Sequence, residues 1–389
     1  MSVSPINDSG FRVSRVAVLG AGGFVGARLM RVLRGCSQVK GVGIVRSAKS
    51  LARLSSHPME VRVVNTSRTK ELAEALSDCD TVVNAVNGDV SQVLRETRTA
   101  YEAALAARCK LMIHLSSAVV YGRANSPGLH DDSPPDTRNW MLYARGKAES
   151  EVFLRSVMGD AKSMRIVALR PGLIWGPFSQ WSGMVGEQLS RGSVCLSNSG
   201  RGIANLVHVD NLVQMMLAVH GSHTGPSGFY NVGDPEAVTW SQYYQGLCKR
   251  LGYPETHVRT WPDARLPLTP KLALEWCLQR KPLYRVAKWC LPRVGLGVKA
   301  AAKKVVKGEP FPPGGLQPEP KSAPRLTREH WALQNTTFRL PMKKFFRDYG
   351  PVELESTESA LDSTASWLRF AGYAAANGES GPFDSTHIW

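Results

Sequence analysis

Short apolar runs alternate with helically spaced segments along the first part of the chain. The runs that indicate buried strands are 15–19, 42–45, 61–64, 81–86, 111–115 and 165–169. Apolar residues recur at helical spacing between several of them, at 27–35, 69–77, 93–107 and 144–157. Strands that alternate with helices are joined by right-handed crossovers into a parallel sheet covered on both faces. The pattern therefore predicts an α/β fold with a doubly wound parallel sheet.

The alternation weakens after residue 176. A strand at 204–209, a helix at 212–219 and a strand at 229–232 follow, and helical spacing returns only at 359–370. We predict an α/β domain over residues 11–176, which the chain rejoins at 204–233. A smaller, mainly C-terminal domain takes up the rest. Its predicted parts are 177–203 and 234–376. The second part includes a basic, partly helical segment at 266–307 and a proline-rich loop at 308–324. A frayed tail at 377–389 follows the domain.

Positive charge is concentrated in one part of the chain. The formal net charge is +16, and residues 271–307 hold ten Lys or Arg but only one acid, Glu275. The remainder is mildly basic, so we expect no nucleic-acid partner. The segment also contains Leu and Trp residues, which would allow peripheral contact with an anionic membrane surface. The favoured alternative is a cap on the C-terminal domain whose charges are solvated.

Cysteine usage and hydropathy exclude several classes of protein. The seven cysteines are scattered singly, which is neither a disulfide framework nor a zinc motif. The first residues lack the apolar stretch of a secretion signal, and no run of 18 apolar residues predicts a membrane span. We expect a cytoplasmic protein without a bound metal.

A glycine-rich turn joins the first strand to the first helix. Gly20, Gly23 and Gly26 are spaced three residues apart. Phe24 and Val25 lie between the last two glycines, at the start of the helix. Such glycines allow a tight turn, a close approach of the backbone to a pyrophosphate, and close packing of helix on strand. The helix N-terminus then faces the phosphates. The turn predicts a Rossmann-type dinucleotide-binding domain. We also expect Ala85 and Val86, at the end of the fourth predicted strand, to contact the dinucleotide.

The residue after the second strand bears on the choice of dinucleotide. An acid there would bind the ribose hydroxyls of NAD(H), whereas an arginine accommodates the 2′-phosphate of NADP(H). This chain has Arg46 and Ser47 at that point, and no Asp or Glu lies between Val39 and Glu60. We therefore predict NADP(H) in preference to NAD(H).

Three polar residues follow in an order that suggests hydride-transfer chemistry. Ser117 comes just after the strand at 111–115, and Tyr143 and Lys147 lie one helical turn apart. A tyrosine can exchange a proton with a carbinol oxygen if a neighbouring ammonium lowers its pKa from about 10. Lys147 would do this and also hold the nicotinamide ribose, while Ser117 orients the substrate oxygen.

The tyrosine–lysine spacing alone is a weak signal, because Tyr284 and Lys288 repeat it. No glycine turn or serine-tipped strand precedes that second pair directly. We interpret it as structural.

With these motifs the chain resembles the extended short-chain dehydrogenase/reductase family, also called the NAD-dependent epimerase/dehydratase family. The similarity covers about residues 14–250, with GAGGFVG at 20–26, LSSAVVYG at 115–122, YARGK at 143–147, LRPGLIWGP at 169–177, NLVHVDN at 205–211 and FYNVGD at 229–234. The resemblance implies that Ser117, Tyr143 and Lys147 are catalytic and that Pro171 lines the nicotinamide. It also implies a mainly C-terminal substrate domain and a homodimer formed through a four-helix bundle.

Four positions depart from the pattern of that family. Val64-Asn65 replace an acid near the adenine, and Val93 replaces an asparagine of the proton relay. Ala118-Val119 stand where sugar-nucleotide dehydratases have Asp-Glu, which argues against dehydration. Ala204 replaces an arginine that contacts nucleotide phosphate, although Arg201 is close in sequence.

Together these features predict an NADP(H)-dependent oxidoreductase acting on a secondary alcohol or ketone, a small-molecule substrate. The alternatives are a nucleotide-sugar epimerase or reductase with the same three residues, and an NADP-binding protein without turnover. Asp210 is expected to cap a helix and His208 to pack in a strand. Trp140, Trp175 and Trp181 are either a substrate wall or core.

Overall fold

The computed structural model describes residues 13–54, 58–87, 90–122, 128–139, 141–159, 164–261 and 328–375. Several features singled out in the sequence lie outside these residues: the basic segment at 266–307, the proline-rich loop at 308–324, the tail at 377–389, Trp140 and the Tyr284–Lys288 pair.

Thirteen strands and ten α-helices are assigned within the described residues. The strands are β1 Ser14–Leu19, β2 Val39–Val45, β3 Glu60–Val63, β4 Thr81–Asn84, β5 Leu111–Leu115, β6 Arg165–Pro171, β7 Leu173–Trp175, β8 Val194–Leu196, β9 Ile203–Ala204, β10 Leu206–His208, β11 Gly228–Val232, β12 Val238–Thr239 and β13 Val258–Thr260. The helices are α1 Phe24–Arg34, α2 Thr69–Leu76, α3 Val90–Ala106, α4 Leu142–Met158, α5 Gln180–Ser190, α6 Val209–Gly221, α7 Trp240–Arg250, α8 Arg328–Gln334, α9 Lys343–Tyr349 and α10 Thr357–Phe370.

Seven strands form one parallel sheet in the order β11-β6-β5-β4-β1-β2-β3. The strand order reverses between β1 and β4, which pair directly. In a doubly wound sheet, a crevice opens at this point beyond the carboxyl ends of the strands, and ligands bind there. The predicted α/β, Rossmann-type fold is confirmed.

The strands are apolar because both faces of the sheet are buried. One face packs on α1 and α6 through a cluster that includes Leu29, Leu212 and Met216. The other face packs on α2, α3 and α4 through a cluster that includes Leu72, Ala103 and Leu154. This two-sided burial explains why continuous apolar runs, rather than alternating ones, marked the strands in the sequence.

A third apolar cluster lies in the C-terminal part of the chain. It joins α5, α7 and α10 around the buried rings of Trp175 and Tyr243. Helix α7 begins at a capping box, in which the Thr239 side chain accepts from the Gln242 amide and the Gln242 side chain accepts from the Thr239 amide. Helix α9 belongs to the first cluster instead, since its Phe345 ring packs on Tyr230 of β11.

Among the described helices, none combines the length and the apolar character that crossing a lipid bilayer would require.

Candidate active site

The glycine turn is a close-packed cradle at the carboxyl end of β1. Gly20 has a φ of +83°, in the left-handed region that favours glycine. A Cβ on Gly22 would lie 2.2 Å from the Ser50 carbonyl oxygen, and a Cβ on Gly26 would lie 2.3 Å from that of Gly20. Side chains at these positions would push the turn apart, so the backbone can follow this path only with glycine there.

Helix α1 starts at this cradle, and no side chain caps the positive, N-terminal end of the helix dipole. Gly23 is the N-cap, no side chain caps the helix, and its first turn contains no acid. Free amides and the helix dipole at such an end favour a phosphate group. Gly20, Gly23, Phe24 and Val25 line a cavity here, whereas Gly26 does not and instead packs against the turn. The cradle thus fits the pyrophosphate of a dinucleotide.

The cavity has a volume of about 1180 Å³ and extends across the carboxyl ends of the central strands. Ala85 and Val86 line it beyond β4, and Pro171 lines it at the end of β6. Single-ligand pockets usually have volumes of about 300–1000 Å³. This cavity therefore has room for a dinucleotide together with a second molecule.

Arg46 lines the same cavity just beyond β2. Its Nη1 lies 3.2 Å from Oε1 of Glu96 on α3, and the Arg46 side chain is 58% exposed. Burial raises the pKa of the Glu96 carboxyl, while the neighbouring Arg46 charge lowers it. Ser47 does not line the cavity; it is the N-cap of a short 3-10 helix over Ala48–Arg53.

The three residues predicted to be catalytic line the cavity together. Ser117 follows β5, and its hydroxyl oxygen accepts a hydrogen bond from the Val119 amide at 3.4 Å. Tyr143 and Lys147 are one turn apart on α4, and Lys147 donates from Nζ to the Leu115 carbonyl oxygen at 2.7 Å.

Lys147 is buried, and its environment changes its acidity. Loss of solvation lowers the pKa of its ammonium to about 8, although the charges of Glu151 and Glu96 raise it. A lysine with this pKa still carries its proton at neutral pH. It can therefore act as a positive charge beside Tyr143.

A comparison with known families matches residues 16–233 to the model described as NAD dependent epimerase/dehydratase family. The match covers more than half of the chain. The chain belongs to this family.

Individual members of the wider group are distant from this chain. A curated relative, 2-alkyl-3-oxoalkanoate reductase of Stenotrophomonas maltophilia, is 26% identical in an alignment of 319 residues that covers 68% of this chain and 89% of the relative. Two crystal structures share the fold. The Bordetella bronchiseptica enzyme WbmH in complex with NAD+ has 16% identity and a TM-score of 0.62, over 92% of this chain and 99% of that one. UDP-glucuronic acid 4-epimerase from Bacillus cereus in complex with NAD has 15% identity and a TM-score of 0.63, over the same shares.

Membership of the NAD-dependent epimerase/dehydratase family makes the cavity the candidate site of an enzyme that uses a nicotinamide dinucleotide. The departures from the family pattern differ in their position relative to this cavity. Ala118 and Val119 line the cavity, and Val93 is buried within α3. Ala204 is buried, while Arg201 is exposed and does not line the cavity.

A buried polar network connects α4 to the sheet next to the site. The sequence analysis did not predict this network. Glu151 and Arg170 form an ion pair at 2.6 Å with both side chains fully buried. Ser116 donates to Glu151 at 2.5 Å, and Arg170 donates to the Tyr121 hydroxyl at 2.7 Å. Because every charge has its partner, the network holds α4 and its Lys147 on the sheet. The position of Glu151, one turn after Lys147, was the available signal.

The C-terminal part of the chain forms an aromatic wall of the cavity with Trp181, Trp240 and Trp331. Of the tryptophans considered from the sequence, Trp181 lies in this wall. Trp175 is core: it is fully buried and donates from Nε1 to Asp234 at 2.8 Å. Trp240 and Trp331 were not predicted, because they are far from the catalytic motifs in sequence.

The expectation that Asp210 caps a helix is wrong. His208 is the N-cap of α6, and Asp210 lies in its first turn, where it forms an ion pair with Arg28 of α1. His208 is buried against Trp175, with ring centroids 5.1 Å apart. Ligand atoms of His208, Asp210 and Glu355 lie within 4.8 Å of one another. Asp210 is already paired with Arg28, and this ion pair ties α6 to α1.

Proposed function

We propose that this protein is an NADP(H)-dependent oxidoreductase that transfers a hydride between the nicotinamide and a secondary alcohol or ketone. The observation that carries the proposal is that Ser117, Tyr143 and Lys147 line the same cavity as the glycine cradle. The name of the curated relative from Stenotrophomonas maltophilia, a reductase of an oxoalkanoate, supports the ketone as the reacting group.

In ketone reduction, bound NADPH supplies the hydride that is delivered to the carbonyl carbon. Tyr143 donates its phenolic proton to the carbonyl oxygen, and the Lys147 ammonium stabilises the phenolate that remains. The Ser117 oxygen accepts from the Val119 amide, so its own O–H is available to donate to the carbonyl oxygen and orient it. Alcohol oxidation follows the same steps in reverse.

Replacement of Tyr143 by Phe tests this assignment. Since proton transfer by a positioned side chain contributes roughly 10²–10⁴-fold in rate, we expect Tyr143→Phe to lower kcat for ketone reduction by that factor and to leave NADPH binding intact. Steady-state oxidation of NADPH with saturating ketone measures kcat, and fluorescence titration measures NADPH binding.

Tyr284→Phe is the matched control, because Tyr284 has the same spacing to a lysine. It should leave kcat unchanged. Unaltered turnover in Tyr143→Phe would sink the proposal and favour an NADP-binding protein without this chemistry.

Arg46 supports NADP(H) as the dinucleotide. Its guanidinium lines the cavity beyond β2 and is largely exposed, so it is available to a 2′-phosphate. A charged hydrogen bond contributes about 1.5–3 kcal/mol, so we expect Arg46→Ala to weaken NADPH binding by roughly 10–100-fold and NADH binding far less. Calorimetric titration with both cofactors measures the difference. Arg53→Ala is the control, since Arg53 lies in the same connection between β2 and β3 but does not line the cavity. Tighter binding of NADH than of NADPH to the unaltered protein would contradict the assignment.

We also propose a homodimer that pairs the outer faces of α3 and α4, the arrangement implied by the family resemblance. Leu105 on α3 and Val152 on α4 are exposed apolar side chains that such an interface would cover.

A further inference from the structure

The side of the cavity formed by the C-terminal part of the chain is apolar. Trp181 at the start of α5, Trp240 at the start of α7 and Trp331 in α8 line it, together with Leu173, Ile203 and Leu340. Aromatic and aliphatic walls of this kind gain free energy when they cover hydrocarbon, at about 25 cal/mol per Å² removed from water.

Positive charge is scarce on this side. Among the described residues that line the cavity, only Arg46 and Lys147 carry a formal charge, and both belong to the cofactor and catalytic side of the proposed site. The start of α5, another place where an anion could bind, is capped by the Ser179 side chain. A nucleoside diphosphate would lose its hydration here without gaining a cationic partner, which is unfavourable.

Three polar side chains of the apolar side, those of Asn205, Thr336 and Trp240, are bonded within the protein. Asn205 donates to the Phe338 carbonyl at 3.1 Å and accepts from the Leu340 amide at 2.9 Å. The Thr336 hydroxyl donates to Ala332, and Trp240 donates from Nε1 to the Leu333 carbonyl at 2.9 Å. These bonds fix the segment 328–340 as a wall of the cavity.

A second cavity of about 240 Å³ lies behind this wall. Trp181, Trp240 and Leu333 line both cavities and therefore separate them. The rings of Trp181 and Trp240 are 6.0 Å apart. Removal of one of these side chains would open the first cavity into the second.

We propose that the apolar side of the cavity binds a hydrocarbon group of the substrate, and that the partition of Trp181, Trp240 and Leu333 sets the length of that group. The inference rests on the proposed oxidoreductase function, which directs the reacting carbon of the same molecule toward Tyr143. It assigns the substrate to ketones or alcohols with an extended apolar group, in preference to nucleotide sugars.

Binding of unreactive probes to the NADP+-saturated protein tests the proposal. A series of linear amides from hexanamide to tetradecanamide carries no charge and no ketone, and UDP represents a nucleoside diphosphate. Each buried methylene should lower Kd by about fourfold until the chain reaches the partition, after which Kd should stop falling. UDP should not compete. A Kd that is independent of chain length, or UDP binding tighter than the best amide, would overturn the proposal.

Two substitutions at the partition sharpen the test. Trp181→Ala should raise, by several methylenes, the chain length at which Kd stops falling, because the volume of the indole ring itself becomes accessible. The second cavity beyond it has a mainly polar lining that includes Gln188 and Ser193. Leu333→Ala should act in the same direction through a smaller change, which keeps the test valid if Trp181→Ala does not fold. Trp261→Ala is the matched control, since Trp261 is an exposed tryptophan outside both cavities. An unchanged limit in a folded partition variant would refute the assignment of the partition.

This experiment separates the two proposals, because amide binding needs no hydride transfer. If no ketone is reduced but the amide series behaves as expected, the oxidoreductase assignment fails and the hydrocarbon site stands. If ketones are reduced but amide affinity ignores chain length, the hydrocarbon site fails alone.

Discussion

Lys147 combines two properties that normally exclude each other: it is buried and it must be charged. Loss of solvation acts against the ammonium, and the carboxylates of Glu151 and Glu96 act for it. Because Glu151 also forms an ion pair with Arg170, its negative charge stabilises both Arg170 and the Lys147 ammonium. The ammonium therefore has a pKa of about 8, close enough to neutrality to affect activity in a measurable pH range.

The pH dependence of ketone reduction should report this lysine. With a pKa of about 8, Lys147 is protonated below that pH and loses its charge above it. The phenolate left on Tyr143 then lacks its positive neighbour, so kcat/KM should fall above about pH 8. A pH–rate profile at saturating NADPH measures the falling limb.

Lys147→Arg keeps a positive charge well above this range. Its falling limb should move to higher pH even if its rate is lower. Lys249→Arg, on the exposed surface of α7, should leave the limb where it is. A limb that is unmoved in Lys147→Arg would show that another group titrates.

At the scale of elements, the turn between β1 and α1 tolerates no side chain at Gly26. A Cβ there would meet the Gly20 carbonyl oxygen at 2.3 Å and the Gly20 carbonyl carbon at 2.8 Å, and both neighbours belong to backbone that cannot move aside cheaply. We expect Gly26→Ala to destabilise the protein by about 1–3 kcal/mol and to abolish measurable NADPH binding. Chemical denaturation and a cofactor titration measure the two effects.

Gly221 provides the control for this substitution. It is the last residue of α6, and a Cβ there would meet nothing within 4 Å. Gly221→Ala should be neutral or stabilise the protein by up to about 1 kcal/mol, because the unfolded chain loses freedom. Equal effects of the two substitutions would contradict the packing argument.

The elements of the sheet were predictable because their signal is local and strong. β1, β5 and β6 consist mainly of consecutive apolar residues, as is typical of strands buried on both faces. Strands of two or three residues, such as β9 and β12, have too few positions to show a period. Helix α7 could have been found, since its capping box and the spacing of Trp240, Tyr243, Tyr244 and Leu247 are present in the sequence.

The site was predictable only where its residues follow one another in a characteristic order. Ser117, Tyr143 and Lys147 belong to one continuous stretch and line one cavity. Trp331 reaches that cavity from a segment almost two hundred residues later, and no spacing links the two. Asp210 was misassigned for a similar reason, because its partner Arg28 lies on a distant helix.

At the scale of the whole molecule, the outer faces of α3 and α4 leave apolar side chains uncovered. Val152 is 48% exposed and Leu105 is 38% exposed. If these faces pair across a two-fold axis, Val152→Glu would bury two unpartnered charges in each dimer. We expect the dimer dissociation constant to rise on the order of a hundredfold, as measured by sedimentation velocity.

Val63→Glu is the corresponding control, because Val63 is even more exposed than Val152 but lies on the edge strand β3. It should leave the association state unchanged. A protein that is monomeric before any substitution would refute the proposed dimer.

The aromatic wall has a consequence for how this scaffold can diversify. The residues proposed to react lie on the sheet and on α4. Part of the aromatic wall of the cavity is instead a short segment, 328–340, whose backbone atoms are hydrogen-bonded to the side chains of Asn205 and Trp240. Substitutions in that segment can therefore change which ligands the cavity binds without moving the reacting residues. Selection, or a focused mutant library, can therefore explore new ligands there while the chemistry is inherited unchanged.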